Sequence, residues 1–243
     1  MTKTRSIWPV VIVSALGILI LCGLGAWQLQ RLAHKQTLLA EIRHRSAADP
    51  VALSEAVRLH ESGENVEFMK VSATGRFLHE SERHLIGVFD GTPAWEVVTP
   101  LLTADNTVVL VDRGFVPDEK RNPATRDGGN PTGVVEVIGM VGSHPEGRGT
   151  FRPDNDVGAN MWFWWDVPAM LDSITIPAGV KPAPFVLHIF PVAGESGLPR
   201  PVALQAALRN NHLQYAIIWF ALALVLAVIA GLFIRGQMKK SGA

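Results

Sequence analysis

The sequence predicts a membrane protein in which two transmembrane α-helices flank an extracytoplasmic β-rich α+β domain, built as an antiparallel sheet or a partly closed barrel. Three observations lead there. Ser6 to Gln30 is an uncharged run of 25 positions, and Leu213 to Ile234 is a second one of 22. Each meets the roughly 20 residues that a helix needs to cross a ~30 Å hydrocarbon layer. Between them lie seven segments rich in β-branched residues, separated by Gly, Pro, Asn and Asp clusters.

The first span is bracketed by Trp8 and Trp27. At ~1.5 Å per residue these lie about 28 Å apart, close to the spacing of the two aromatic belts of a bilayer. A cleaved signal peptide is the alternative, with Lys3 and Arg5 as its basic region and "GLGA" (23–26) as a cleavage site. The apolar stretch exceeds the ~7–15 residues of a signal-peptide core, which favours a retained anchor. Leu32, Leu38, Leu39 and Ile42 extend a helical pattern to about Arg45. "ADPVALSEAVRL" (48–59) restarts a helix, with Asp49 as cap and Pro50 in the first turn.

Strands are expected at 66–77, 83–89, 95–102, 107–115, 133–142, 161–167 and 184–190, with loops at 117–132 and 143–160. The domain boundaries expected are 1–30, 31–212 and 213–243. Lys3, Arg5, Arg235, Lys239 and Lys240 make both tails basic, and all 22 acids lie between the spans. That asymmetry predicts both termini in the cytoplasm and the middle domain in the periplasm, although Arg31, Lys35, Arg43 and Arg45 pull the other way. Only six residues precede Ile7, which leaves no mitochondrial presequence and points to a bacterial inner membrane. Cys22 is the single cysteine, so no disulfide forms within the chain and no CxxC is available for thiol exchange or copper.

Motifs for soluble chemistry are missing. The sequence holds no GxGxxG after a strand, no GxxxxGK[ST] and no GxSxG elbow. The glycines of "EGRGTF" (146–151) and "GESG" (194–197) read as loop and turn formers. The eight histidines contain no HxxxH pair, and His79 and His84 read as exposed strand-end residues. With 22 basic and 22 acidic residues there is no net charge, and no nucleic-acid partner is expected. An enzyme is not expected either.

Informative residues gather at the membrane boundary. His212, Tyr215 and Trp219 fall on one helical face at i, i+3 and i+7, while Trp27, Gln28 and Arg31 lie close to one face of the first span. If both termini are inside, the two faces meet at one membrane surface. Such a place suits a planar amphipathic ligand: imidazole coordinates iron, the aromatic rings flank a macrocycle, and arginine pairs with propionates. The alternative reading stays open. Interface belts also gather Trp and Tyr, arginine snorkels, and Asn210 or Asn211 can serve as a helix cap.

Four blocks in this order resemble the Surfeit locus protein family of cytochrome c oxidase assembly factors. Gly25, Trp27, Gln28 and Arg31 match a G-x-W-Q-x-x-R pattern, and Asn210 to Phe220 match N-x-H-L-x-Y-A-x-x-W-F. "TPLLTADNTVVLVDRGFVP" (99–117) and "FRPDNDVGANMWFWWDVPAM" (151–170) resemble two further family segments. Asp112 stands where the family often has Asn, Phe115 where it often has Trp, and "AWEVVTP" (94–100) is looser than the usual form.

The resemblance implies an accessory protein that helps insert haem a into, or stabilise, the catalytic subunit of the oxidase together with its assembly machinery. It implies haem a bound transiently through a histidine, here His212; Tyr215, Trp219, Trp27, Gln28 and Arg31 are expected, from their place on the two boundary faces, to complete the pocket. The rival expectation is a membrane scaffold that holds the oxidase subunit without binding haem.

Overall fold

The computed structural model describes residues 8–126, 128–142, 144, 151–191, 197–202 and 211–241. Lys3, Arg5, the "EGRGTF" glycines, most of "GESG" and the Asn210 cap lie outside the described residues.

Two compact units emerge: the terminal segments 1–40 and 208–243, and the intervening residues 41–207. The helices α1 (Trp8–Ala47), which belongs to the first unit as far as Ala40, and α4 (His212–Ser241) are both long and apolar enough to cross a membrane. Pro9 sits in the opening turn of α1, where its missing N–H costs nothing. The two helices pack through small residues. Ala216, Ala223 and Ala230, each seven positions from the next, are the buried residues among the described side chains of α4, whereas Ile217, Leu224 and Leu232 are exposed. That inverted pattern suits helices whose outer surface faces lipid and whose seam needs close backbone approach. Gly25 lies under the Phe220 ring, where an added Cβ would come within 2.7 Å of the ring carbons, and Gly17 similarly faces Leu226.

The second unit is a seven-stranded sheet: β1 (Val51–Ala52), β2 (Lys70–Phe77), β3 (Arg83–Phe89), β4 (Thr92–Thr103), β5 (Thr107–Val116), β6 (Val135–Gly142) and β7 (Lys181–Ile189). Strand order is β1-β2-β6-β7-β5-β4-β3, and a further β2–β4 pairing at Gly75–Phe77 closes five strands into a partly closed barrel. Two pairings, β1–β2 and β5–β7, are parallel, so the sheet is mixed rather than purely antiparallel. The short helices α2 (Leu53–Glu61) and α3 (Val167–Asp172) complete the unit.

Two of the expected elements take a different form. The second helix begins at Leu53 rather than at Asp49, because Val51 and Ala52 are drawn into a parallel pairing with Val71 and Ser72. The aromatic stretch 161–167 is not a strand. It makes isolated bridges, Leu85 to Trp162 and Asp156 to Met161, and then enters α3, where Asp166 Oδ1 caps the Ala169 N–H. Its bulky apolar residues are needed to cover the sheet, which raises local β propensity without supplying a ladder partner.

The β3–β4 hairpin turns on Asp90-Gly91, both at positive φ, with Phe89 opposite Thr92. Two left-handed residues at a two-residue loop match the twist of the flanking strands. The barrel interior is filled by Val71, Ala73, Leu101, Val109, Val111, Phe185 and Leu187, closed by Leu53 and Ala56 of α2. A second cluster, Leu85, Val98, Leu110, Val186, Trp162 and Met170, forms outside the wall. β5 and β7 contribute to both clusters, which is why they read as nearly continuous apolar runs.

Candidate functional site

Within the helical unit the structure joins the two membrane-boundary motifs. His212 Nδ1 donates to Gln28 Oε1 at 2.7 Å. In a neutral imidazole that bond places the proton on Nδ1 and the lone pair on Nε2. Arg31 lies over the Trp27 ring at 5.6 Å from its centroid. Tyr215 is half exposed, as is Trp27, while Trp219 is partly buried. An imidazole of fixed tautomer, a guanidinium held against an indole, and accessible aromatic rings form a donor set that fits a haem: nitrogen for iron, arginine for a propionate, rings for the macrocycle. Gly25 permits the arrangement, because any larger side chain would push the Phe220 ring and spread the helices.

The β domain holds two buried polar clusters that no sequence motif announced. In the first, Glu82 Oε1 accepts from His84 Nε2 at 2.6 Å and from Arg126 Nη2. The Arg126 side chain is fully buried, and its Nε and Nη1 find no partner among the described residues. Burial pushes the Glu82 carboxyl up, but hydrogen bonds from His84 and Arg126, with the Arg126 charge, outweigh it and hold Glu82 below its ordinary value. Arg113 is pushed down to about 10 by burial. Arg121 stacks on Trp95 at 3.9 Å, and Asn160 Nδ2 donates to the Glu82 carbonyl at 2.8 Å. His84 is therefore buried in this network, not an exposed strand-end residue.

In the second cluster Asp112 Oδ2 accepts from His188 Nδ1 at 2.7 Å, and its Oδ1 accepts the Gly114 N–H at 2.8 Å. Gly114 has φ +95°, and a Cβ there would run into the Arg200 backbone. His188 Nε2 meets His144 Nε2 at 3.0 Å, and the His144 ring stacks on Trp165 at 4.2 Å. Burial, with the neighbouring His188, pushes His144 down to about 4. Burial and the adjacent Asp112 charge push the Glu96 carboxyl well up, whereas burial of Asp112 is outweighed by His188, leaving Asp112 low. Glu96, Asp112 and His188 are brought together by strand register across 92 residues of sequence, although no HxxxH pair marks them. The one visible signal was an acid set inside the apolar strand "VVLVDRGF" (108–115).

Comparison with known proteins follows the same segments. A family model described as the SURF1 family matches residues 15–224. The human protein named Surfeit locus protein 1 is 35% identical over 219 residues, covering 83% of this chain and 69% of that one. A SURF1-like protein of Monosiga brevicollis is 32% identical over 231 residues, with 84% and 79% covered. One from Rickettsia felis is 30% identical over 230 residues, covering 89% of this chain and 92% of its own. The matched span takes in both membrane-boundary motifs and the whole barrel between them, and on that extent of agreement the chain belongs to the SURF1 family.

Proposed function

We propose that this protein is an assembly factor for cytochrome c oxidase in a bacterial inner membrane, with both termini cytoplasmic and the barrel domain periplasmic. It assists delivery of haem a to the catalytic subunit, or stabilises that subunit, and is not itself a catalyst. The observation that carries the haem reading is the 2.7 Å hydrogen bond from His212 to Gln28, which ties the two boundary motifs into one oriented imidazole. In this reading haem a is cargo, transiently held, and its iron takes one axial nitrogen. His212 offers Nε2, Gln28 fixes the tautomer, Arg31 pairs with a propionate, and Trp27, Tyr215 and Trp219 flank the ring. The barrel domain and the lipid-facing helices supply surface for the oxidase subunit and its assembly machinery.

An optical titration of the detergent-purified protein with haem a tests this. A shifted Soret band at one haem per chain is expected, lost in His212→Ala. The half exposure of Trp27 and Tyr215 favours a second reading, in which these rings pack against the partner subunit and haem is never bound. Absence of any spectral shift, with His212→Ala still supporting oxidase maturation, would leave that scaffold reading standing.

A further inference from the structure

Across the outer face of β4, β5 and β7 runs a chain of ionisable side chains that haem delivery leaves without a task. Glu96, Asp112 and His188 offer ligating atoms that all lie within 4.8 Å of one another, and His188 extends the chain to His144. We propose that the imidazole end of this chain is a site for one borderline divalent metal ion of the zinc or copper(II) class, held by Nε2 of His144 and of His188, with Asp112 holding the His188 ring from its Nδ1 side.

Three features of the geometry point to a ligand. First, Asp112 accepts the His188 Nδ1–H while the Gly114 N–H holds its other oxygen. A carboxylate behind an imidazole is the arrangement that orients metal-binding histidines and turns Nε2 outward. Asp112 and His188 are direct partners in the parallel β5–β7 ladder, so the backbone fixes this orientation.

Second, the two Nε2 atoms stand 3.0 Å apart. With metal–nitrogen bonds of ~2.0–2.1 Å, that spacing subtends roughly 95° at a shared ion, an ordinary angle for adjacent ligands. The His144 ring is locked in place, stacked on Trp165 within 9° of parallel.

Third, the space around the two nitrogens is kept clear by Gly142. A Cβ there would collide with His188 Nε2 and stand 3.5 Å from His144 Nε2. Two imidazole nitrogens select zinc, copper or nickel over magnesium and calcium, which take shells of oxygen. The rival account uses the same atoms: a plain His144–His188 hydrogen bond that fastens the Trp165 segment to the barrel.

Full-length protein, purified in detergent and stripped with chelator, would be titrated with Zn²⁺ against a chromogenic chelator and with Cu²⁺ by electron paramagnetic resonance. One ion per chain is expected, with hyperfine coupling to two imidazole nitrogens. Binding should be lost in His144→Ala and in His188→Ala, fall about 10–100-fold in Asp112→Asn, and persist in His44→Ala, an exposed histidine of α1. Because a core variant can fail to fold, the unaltered chain supplies a second readout. Diethyl pyrocarbonate should modify His144 and His188 in the stripped protein and spare both when Zn²⁺ is present. No stoichiometric uptake, uptake unchanged in both histidine variants, or equal modification with and without Zn²⁺ would overturn the proposal.

Discussion

Glu82 shows how single residues hold the domain together. Its carboxylate is almost fully buried and faces His84, Arg126, Thr99 and, more distantly, the Arg113 charge. Removing one partner from such a pair leaves an uncompensated charge in the interior, at a cost of about 3–5 kcal/mol. Glu82→Gln should therefore lower the thermal midpoint by several degrees at neutral pH, read by circular dichroism. The sign of its pH dependence follows from its depressed folded-state value. Its contribution is complete above the ordinary value of 4.5 and is lost as pH falls through the folded-state value below that. Stability of the unaltered chain should drop across that acid window, and the drop should be blunted in Glu82→Gln; identical acid limbs would contradict the account. Asp112 makes a complementary point. Its carboxylate is the hub of the second buried cluster, accepting from His188 and from the Gly114 N–H.

Helices and strands carry their own tests. The α1–α4 seam depends on Gly25 leaving room for Phe220, so Gly25→Val should separate the helices locally. Overpacking of this kind costs about 1–3 kcal/mol. The same variant should weaken haem a binding, since it disturbs the turn that presents Gln28 to His212. Adding Phe220→Ala should restore part of both, measured as a double-mutant cycle of unfolding in detergent; simple additivity would refute direct packing. Outside the barrel wall, Trp162 is fully buried over Leu85, Val98 and Met170. Trp162→Ala should cost about 3–5 kcal/mol and should loosen the segment that carries Asn160 and Trp165. Hydrogen exchange at residues 155–167 would report that loosening.

For the whole molecule, residues 41–207 form one compact unit with its own interior core and a covering cluster outside the wall. A fragment of those residues should fold in water without detergent and melt cooperatively, with a β-rich circular dichroism spectrum. A fragment that aggregates or melts without a transition would mean that the spans are needed for folding. The proposed topology makes a further demand. Reporter tags at the two termini should both be reached from the cytoplasm, and protease added from the periplasmic side should reach only the domain between the spans.

The sequence by itself determined the two spans, the β-rich domain between them, most strand positions and the family. These depend on local period, uncharged length and turn chemistry, each written within a short window of chain. Gly25, Gln28 and His212 were also legible, because motifs mark both ends of that contact. Only the tertiary structure decided the closure of the barrel, the parallel β5–β7 pairing and the fate of residues 161–167, since a ladder needs a partner that local propensity does not name. The clusters around Glu82 and Asp112 likewise became visible only in three dimensions. Glu96 and His188 lie far apart in sequence, and register across β4, β5 and β7 is what sets them side by side.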